Sequence, residues 1–128
     1  MRYLVLLFAA FLVGYGAFKA RADESTENLA AFQLLKIDLE ACPVCAAWDK
    51  SVLPFVSGSE QLGLLGMVSL KVKTLSDSKY SFVPTPRDYP TFVLVDDAGG
   101  VHGAMTGFVE KDDFLAQLDQ WISDFDLR

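Results

Sequence analysis

The sequence predicts an α/β domain in which a mixed central β-sheet is flanked by α-helices, and three stretches carry that expectation. "MVSLKVKTL" alternates, with Val68, Leu70 and Val72 on one face and Ser69, Lys71 and Lys73 on the other, the period of two that marks a strand. "TFVLV" and "VHGAMTGF" are strand-like runs on either side of the turn-forming "DDAGG", so residues 92–106 read as an antiparallel hairpin. "EKDDFLAQLDQWISDF" places Phe114, Leu115, Leu118, Trp121, Ile122 and Phe125 on one wide apolar face, with Asp112 and Asp113 in a first turn where acidic groups complement the helix dipole.

The other elements follow in chain order. Met1 and the cationic Arg2 precede "LVLLFAAFLVGYGAF", an uncharged run of 15 residues, and a small-x-small site follows at Ala20-Arg21-Ala22. This is signal-peptide architecture, and the run is shorter than the roughly 17–25 residues a membrane-spanning helix needs. Residues 1–22 are therefore expected to be cleaved, leaving 23–128 as one exported domain; an uncleaved anchor is the alternative, because Lys19 and Arg21 put positive charge beside the cleavage point. Residues 23–28 are polar and read as a loose mature terminus. "LAAFQLLKIDLEA" is compatible with a helix in its first half, whereas Leu35, Ile37 and Leu39 alternate with Lys36, Asp38 and Glu40 as a strand running up to Cys42. "CAAWDKSVLPF" reads as a helix ended or bent at Pro54, and residues 76–90, with Pro84, Pro86 and Pro90, as a loop. Strand, helix, strand, long connection, strand, strand, helix is an order that builds a mixed sheet with helices packed against it.

Charge narrows the partners. After cleavage the chain would keep all 17 acidic side chains against 8 of the 11 basic ones, a net charge of −9 compared with −6 for the whole chain. That argues against nucleic acid, whose phosphates reward Lys and Arg, and no basic amphipathic segment suggests a membrane surface. With neither a repeat nor a second domain, a monomer is the expectation.

Chemistry concentrates in "ACPVCAAW", which holds the only two cysteines, Cys42 and Cys45. Export permits disulfides, so compartment does not separate a structural from a reactive pair. A metal half-site is short of ligands, since structural zinc generally needs four and the chain adds only His102 to the two cysteines among soft donors. A structural staple enclosing two residues would restrict the unfolded chain little. The spacing suits thiol–disulfide exchange directly: with Cys42 at a helix N-terminus its thiolate is favoured, Cys45 stands one turn on to resolve a mixed disulfide, and Pro43 fits a first helical turn. The cysteines would carry the two electrons themselves, so no prosthetic group and no metal is called for.

"CPVC" after a strand, "YPTFVLVDDAGG" with Pro90 standing 45 residues beyond Cys45, Gly107 and the amphipathic terminal helix together resemble the thioredoxin superfamily. The resemblance implies a thioredoxin-like fold in which Pro90 is cis beside the active pair, Thr91 opens the central strand, and Tyr89 with Pro90, together with Pro43 and Val44, contacts substrate. The closer similarity, through "ACPVCAAWDKSVLPF", "YPTFVLVDD" and "TGFVEKDDFLAQL", is to the small periplasmic thioredoxin-like proteins of bacterial sulfur oxidation, the SoxS type. It implies a periplasmic reductant of disulfide-bearing partners, a sulfur-carrier protein among them, recharged by a membrane electron donor. The chain also departs from its relatives. Val44 stands where glutaredoxins with C-P-x-C commonly have tyrosine, which weakens glutathione recognition; Ala41 stands where ordinary thioredoxins have tryptophan. A net dithiol oxidase, a disulfide isomerase, and a non-enzymatic metal chaperone or protein-binding module stay open as alternatives.

Neighbouring residues are read more plainly. Trp48 is expected in the core, Asp49 and Lys50 as an exposed charged pair, and His102 as a surface residue without a catalytic partner. Asp96 and Asp97 belong to the hairpin turn and not to a calcium loop, whose alternating oxygen ligands are absent. Gly107 and Phe108 are expected to shape and pack the strand end.

Overall fold

A computed structural model describes residues 32–128. The expected leader and the polar residues after it lie outside the described residues. Four strands form one sheet in the order β2-β1-β3-β4: β1 is Phe32–Asp38, β2 Met67–Lys71, β3 Thr91–Asp96 and β4 Val101–Thr106. β1 runs parallel to β2, with Leu35 opposite Val68, and antiparallel to β3, with Leu35 opposite Val93; β3 and β4 form the expected hairpin, with Val93 opposite Ala104. The sheet is therefore mixed. A parallel pair requires a crossover, and here three helices supply it: α1 (Pro43–Ser51), α2 (Leu53–Val56) and α3 (Glu60–Leu65). A single helical turn, α4 (Val72–Leu75), follows β2, and α5 (Lys111–Asp124) closes the chain.

Two apolar clusters flank the sheet. On one face Leu34, Phe92, Leu94 and Met105 meet Trp48, Val52 and Val56, Leu62 and Leu65, and the α5 residues Phe114, Leu118, Trp121 and Ile122. On the other, Leu35, Ile37, Val93 and Val95 meet Leu75, Tyr80 and Val83. The loop expected at residues 76–90 thus packs on this second face, to which it contributes Tyr80 and Val83.

Several elements differ from expectation for identifiable reasons. The first half of the ambiguous segment is strand from Phe32, because β1 gains partners on both edges. β1 also ends at Asp38, short of Cys42, and its expected polar side is buried: Lys36 is 2% exposed and Asp38 5%. A strand covered on both faces has no solvent side for alternation to mark. The helix does end just before Pro54, at Ser51, but a second helix starts at once, with Pro54 in the first turn of α2, where a missing N–H is harmless. The Gly/Ser-containing interval holds α3, which Ser59 caps by accepting the Leu62 N–H at 3.3 Å. The alternation through Val72 and Lys73 does not continue β2, because the chain turns into α4 there.

Candidate functional site

β1 aims the chain at the site and a short turn delivers it. Leu39, Glu40 and Ala41 are exposed, and Ala41 takes a left-handed φ of 50° before the chain enters α1. Cys42 is the N-cap of that helix, with extended backbone angles (φ −102°, ψ 103°), and Pro43 stands in the first turn. The helix begins at Pro43, with that proline in the first turn as expected, ahead of the apolar pattern that starts at Cys45.

Cys42 and Cys45 are joined as a disulfide with their Cα atoms 5.2 Å apart. The Cys42 Sγ accepts the Cys45 backbone N–H at 3.1 Å, and the Cys42 carbonyl accepts the Ala46 N–H at 3.1 Å. The two sulfurs differ in access. Cys42 is half-buried at the rim, whereas Cys45 is 3% exposed on the inward side of α1. When the bond is reduced, a sulfur at the N-cap faces unpaired N–H groups and the positive end of the helix, which favours its thiolate. One accessible sulfur and one shielded sulfur, a turn apart, can attack and resolve in sequence.

The same end of the sheet carries the rest of the expected site. Thr91 opens β3 opposite Ile37, near the end of β1, so Pro90 lies at the end of the sheet from which the Leu39–Ala41 turn leaves. Pro90 is buried and follows a cis peptide bond from Tyr89. Its carbonyl accepts the N–H of Gly107, whose φ of 80° suits glycine, at 2.8 Å. Thr91 donates its hydroxyl to the Asp88 carbonyl at 2.6 Å, and Tyr89 donates its own to the Pro86 carbonyl at 2.9 Å. The Tyr89 ring packs on the cluster of Leu75 and Val83. Beside the cysteines in the chain, Pro43 is exposed, as are the larger apolar residues Val44 (44%) and Leu39 (42%); in the loop after β4, Phe108 is 40% exposed. Phe108 is thus exposed where packing was expected.

Trp48, fully buried, joins the pieces. Its Nε1–H donates to the Val109 carbonyl at 2.9 Å, while its ring lies 4.7 Å from Phe92 and 5.2 Å from Phe114 between centroids. The loop after β4 is thereby tied to α1 through Val109 and to β3 through Gly107.

Charged residues form three groups in and beyond the site. Glu40, nearest Cys42 in sequence, pairs with Lys73 at 3.0 Å, both exposed. Asp49 is no free surface charge: it meets the ammonium of Lys36 at 3.0 Å, and that ammonium also donates to both oxygens of Asp38 at 2.6 Å and sits 5.6 Å from the Trp48 ring centroid. Sequence reasoning missed this cluster, because Lys36 and Asp38 alternate with apolar residues as solvent-facing positions would. His102 stands at the other end of the sheet, beside the Val95–Val101 pairing. Its Nε2 lies 2.6 Å from Asp96 Oδ2, and its ring contacts Phe32 and Phe125. Asp96 Oδ1 accepts the N–H groups of Ala98 and Gly100, so it anchors the turn. The His102 hydrogen bond, aided by the Gly100 N–H, holds the Asp96 carboxyl below its ordinary range. Among the described residues no group of three or more His, Cys, Asp or Glu side chains could hold a metal ion.

Fold and disulfide together define a class: a thioredoxin-fold protein with a Cys-x-x-Cys disulfide at the start of α1. No protein-family model matches the sequence, and no curated protein matches it. Solved structures do. The periplasmic thioredoxin SoxS from Paracoccus pantotrophus, in its reduced form, is 22% identical over 72% of this chain and 96% of that one, with a TM-score of 0.58. A thioredoxin from Thermus thermophilus is 27% identical over 70% of this chain and 72% of that one, with a TM-score of 0.53. The oxidised C-terminal domain of DsbD from Neisseria meningitidis is 19% identical over 83% of this chain and 94% of that one, with a TM-score of 0.54. At identities of 22% and 19%, the first and third show the fold they share with this chain.

Proposed function

We propose that the protein is a periplasmic reductase of disulfides and mixed disulfides on partner proteins. The observation that carries the reading is the placement of the two sulfurs: Cys42 at the rim and at the N-cap of α1, Cys45 shielded one turn behind it. In the reduced protein the Cys42 thiolate attacks one sulfur of a partner disulfide, forming an intermolecular bond and releasing the other partner sulfur as a thiolate that takes up a proton. Cys45 then loses its proton and attacks the Cys42 sulfur. The Cys42–Cys45 bond forms, the bond from Cys42 to the partner breaks, and the second partner sulfur leaves as a thiol. Two electrons pass to the partner, and the oxidised pair is the disulfide described above.

In this reading Pro43 and Val44 offer an exposed apolar face beside the attacking sulfur, and the backbone at Tyr89 and Pro90 aligns an extended segment of the partner. The start of β3 opposite the end of β1, where the chain turns off toward Cys42, supports that role. Residues 1–22 would direct export, a membrane protein would return the electrons, and the cysteine of a sulfur-carrier protein is the substrate the SoxS resemblance favours. Reduction as the net direction is testable through the potential: a value near about −120 mV, the strongly oxidising end of the known scale, would overturn it.

The deciding experiment is covalent trapping. Cys45→Ala in the exporting cell should accumulate a mixed disulfide through Cys42, absent from Cys42→Ser/Cys45→Ala, and the trapped protein is the partner. Full exchange activity in Cys42→Ser would refute the nucleophile assignment.

A further inference from the structure

We propose that Lys36 is a positioning residue for the cysteine pair, one whose buried charge sets how strongly the reduced state is favoured over the disulfide. The proposal rests on the exchange reading above. Lys36 is 2% exposed in the central strand, and a cation there is costly unless opposing charges and hydrogen bonds surround it. Its ammonium donates to both Asp38 oxygens at 2.6 Å and meets Asp49 Oδ1 at 3.0 Å.

The partners give the contact its meaning. Asp38 is the last residue of β1, four before Cys42, and Asp49 lies four residues after Cys45, on the same face of α1 and one turn along. The ammonium therefore bridges the end of β1 and α1, the two elements that flank the cysteines in the chain. It also lies against Trp48, which follows Cys45 by three positions on that inward face. Among the described residues, other charged groups near it are few. Lys71 of β2 approaches Asp38 at 3.9 Å, while β3 and α5 bring Phe92 and Phe114 to Trp48, neither of them titratable.

Buried charge acts unequally on the two redox states. The disulfide cannot ionise, whereas the reduced pair can carry a thiolate; a nearby cation stabilises that anion and so favours the reduced form, and a nearby carboxylate opposes it. Removing Lys36 while the carboxylates remain should shift the pair toward the disulfide. Removing the charge of Asp49 should shift it toward the dithiol. Opposite shifts from the two ends of one ion pair are the signature of a charge effect; a clamp acting only by geometry would be loosened in the same sense by either change.

The test equilibrates the full chain with buffers of reduced and oxidised glutathione and measures the constant for dithiol plus glutathione disulfide giving protein disulfide plus two glutathione molecules. Lys36→Met should raise that constant and Asp49→Asn lower it, each by about threefold to tenfold, with tenfold corresponding to about 30 mV. Asp49 is 44% exposed at its side chain, so that variant keeps the fold. Should Lys36→Met unfold because Asp38 is left buried and unpaired, Lys36→Met/Asp38→Leu removes the pair together, and there Asp49→Asn should still lower the constant. Shifts of the same sign in the two single variants, or an Asp49→Asn constant within twofold of wild type, overturn the proposal. A wild-type chain that exchanges with glutathione while the variants match it fails only the Lys36 assignment; a wild-type chain that exchanges with neither glutathione nor any protein disulfide fails the oxidoreductase reading as well.

Discussion

Replacing Trp48 by phenylalanine tests whether one buried side chain holds both the core and the loop beside the site. The indole is fully buried between Phe92 and Phe114 and donates to the Val109 carbonyl at 2.9 Å. Phenylalanine keeps an aromatic ring but is smaller by roughly three buried atoms, worth about 2 kcal/mol at about 0.8 kcal/mol per methylene. Losing the hydrogen bond adds about 1 kcal/mol. A total of about 3 kcal/mol in a domain of about 100 residues lowers Tm by about 12–24 °C. Urea unfolding of the oxidised full chain, followed by the fluorescence of the remaining Trp121, measures the loss. Hydrogen exchange should also show the amides of Phe108 and Val109 opening more readily, since their tie to α1 is gone. A loss below about 1 kcal/mol would refute the reasoning, because neither the packing nor the bond could then have its assigned weight.

Two further substitutions probe the opposite end of the sheet. A Cβ added at Gly103 would stand 2.7 Å from Trp121 Nε1, so Gly103→Ala should destabilise by about 1–3 kcal/mol through overpacking; an unchanged urea midpoint would show that the indole moves aside freely. Asp96→Asn should reveal a pH-dependent contribution of known sign. The carboxyl is held below its ordinary value by His102 and the turn N–H groups, so its stabilisation is present above the unfolded value of about 3.9 and is lost as pH falls through the lower folded value. The midpoint gap between wild type and variant should be full at about pH 6 and close well below about pH 4; a gap unchanged across that range would exclude ionisation of Asp96 as its source.

Legibility in the sequence followed the range of each interaction. The hairpin and α5 were readable because their apolar periods of two and about 3.6 report directly on which face is buried. α3 was hidden by Gly58, Gly63 and Gly66, which read as loop, although Ser59 supplies a cap and Leu62 and Leu65 reach the core. α4 was hidden because Val72 and Lys73 continue an alternation that the chain abandons. The cysteine pair was legible since its spacing and its place between strand and helix are local facts. Its support was not. Lys36 with Asp49, Trp48 with Val109, and Pro90 with Gly107 are contacts between residues far apart in sequence, and the first was actively misread because a one-sided strand was assumed where β1 is covered on both sides.

α1 is held at three places: at its N-terminus by the short turn from Asp38, and further along by the Lys36–Asp49 ion pair and the Trp48 bond to the loop after β4. Only the first of these runs through the cysteines' own neighbours. Substitutions at the exposed Pro43 and Val44 should therefore alter partner contact and reactivity while leaving unfolding nearly unchanged, whereas changes at Trp48 or Lys36 must act on stability and on the cysteines together. The redox states differ at that same helix terminus, where one form closes the ring between Cys42 and Cys45 and the other frees it. Any tether that fits one form better than the other contributes its difference in free energy to the potential. Stability measured in both redox states is accordingly a measurement of function: a variant that destabilises the oxidised and reduced chains equally has touched the scaffold alone, and one that does not has moved the equilibrium by that difference.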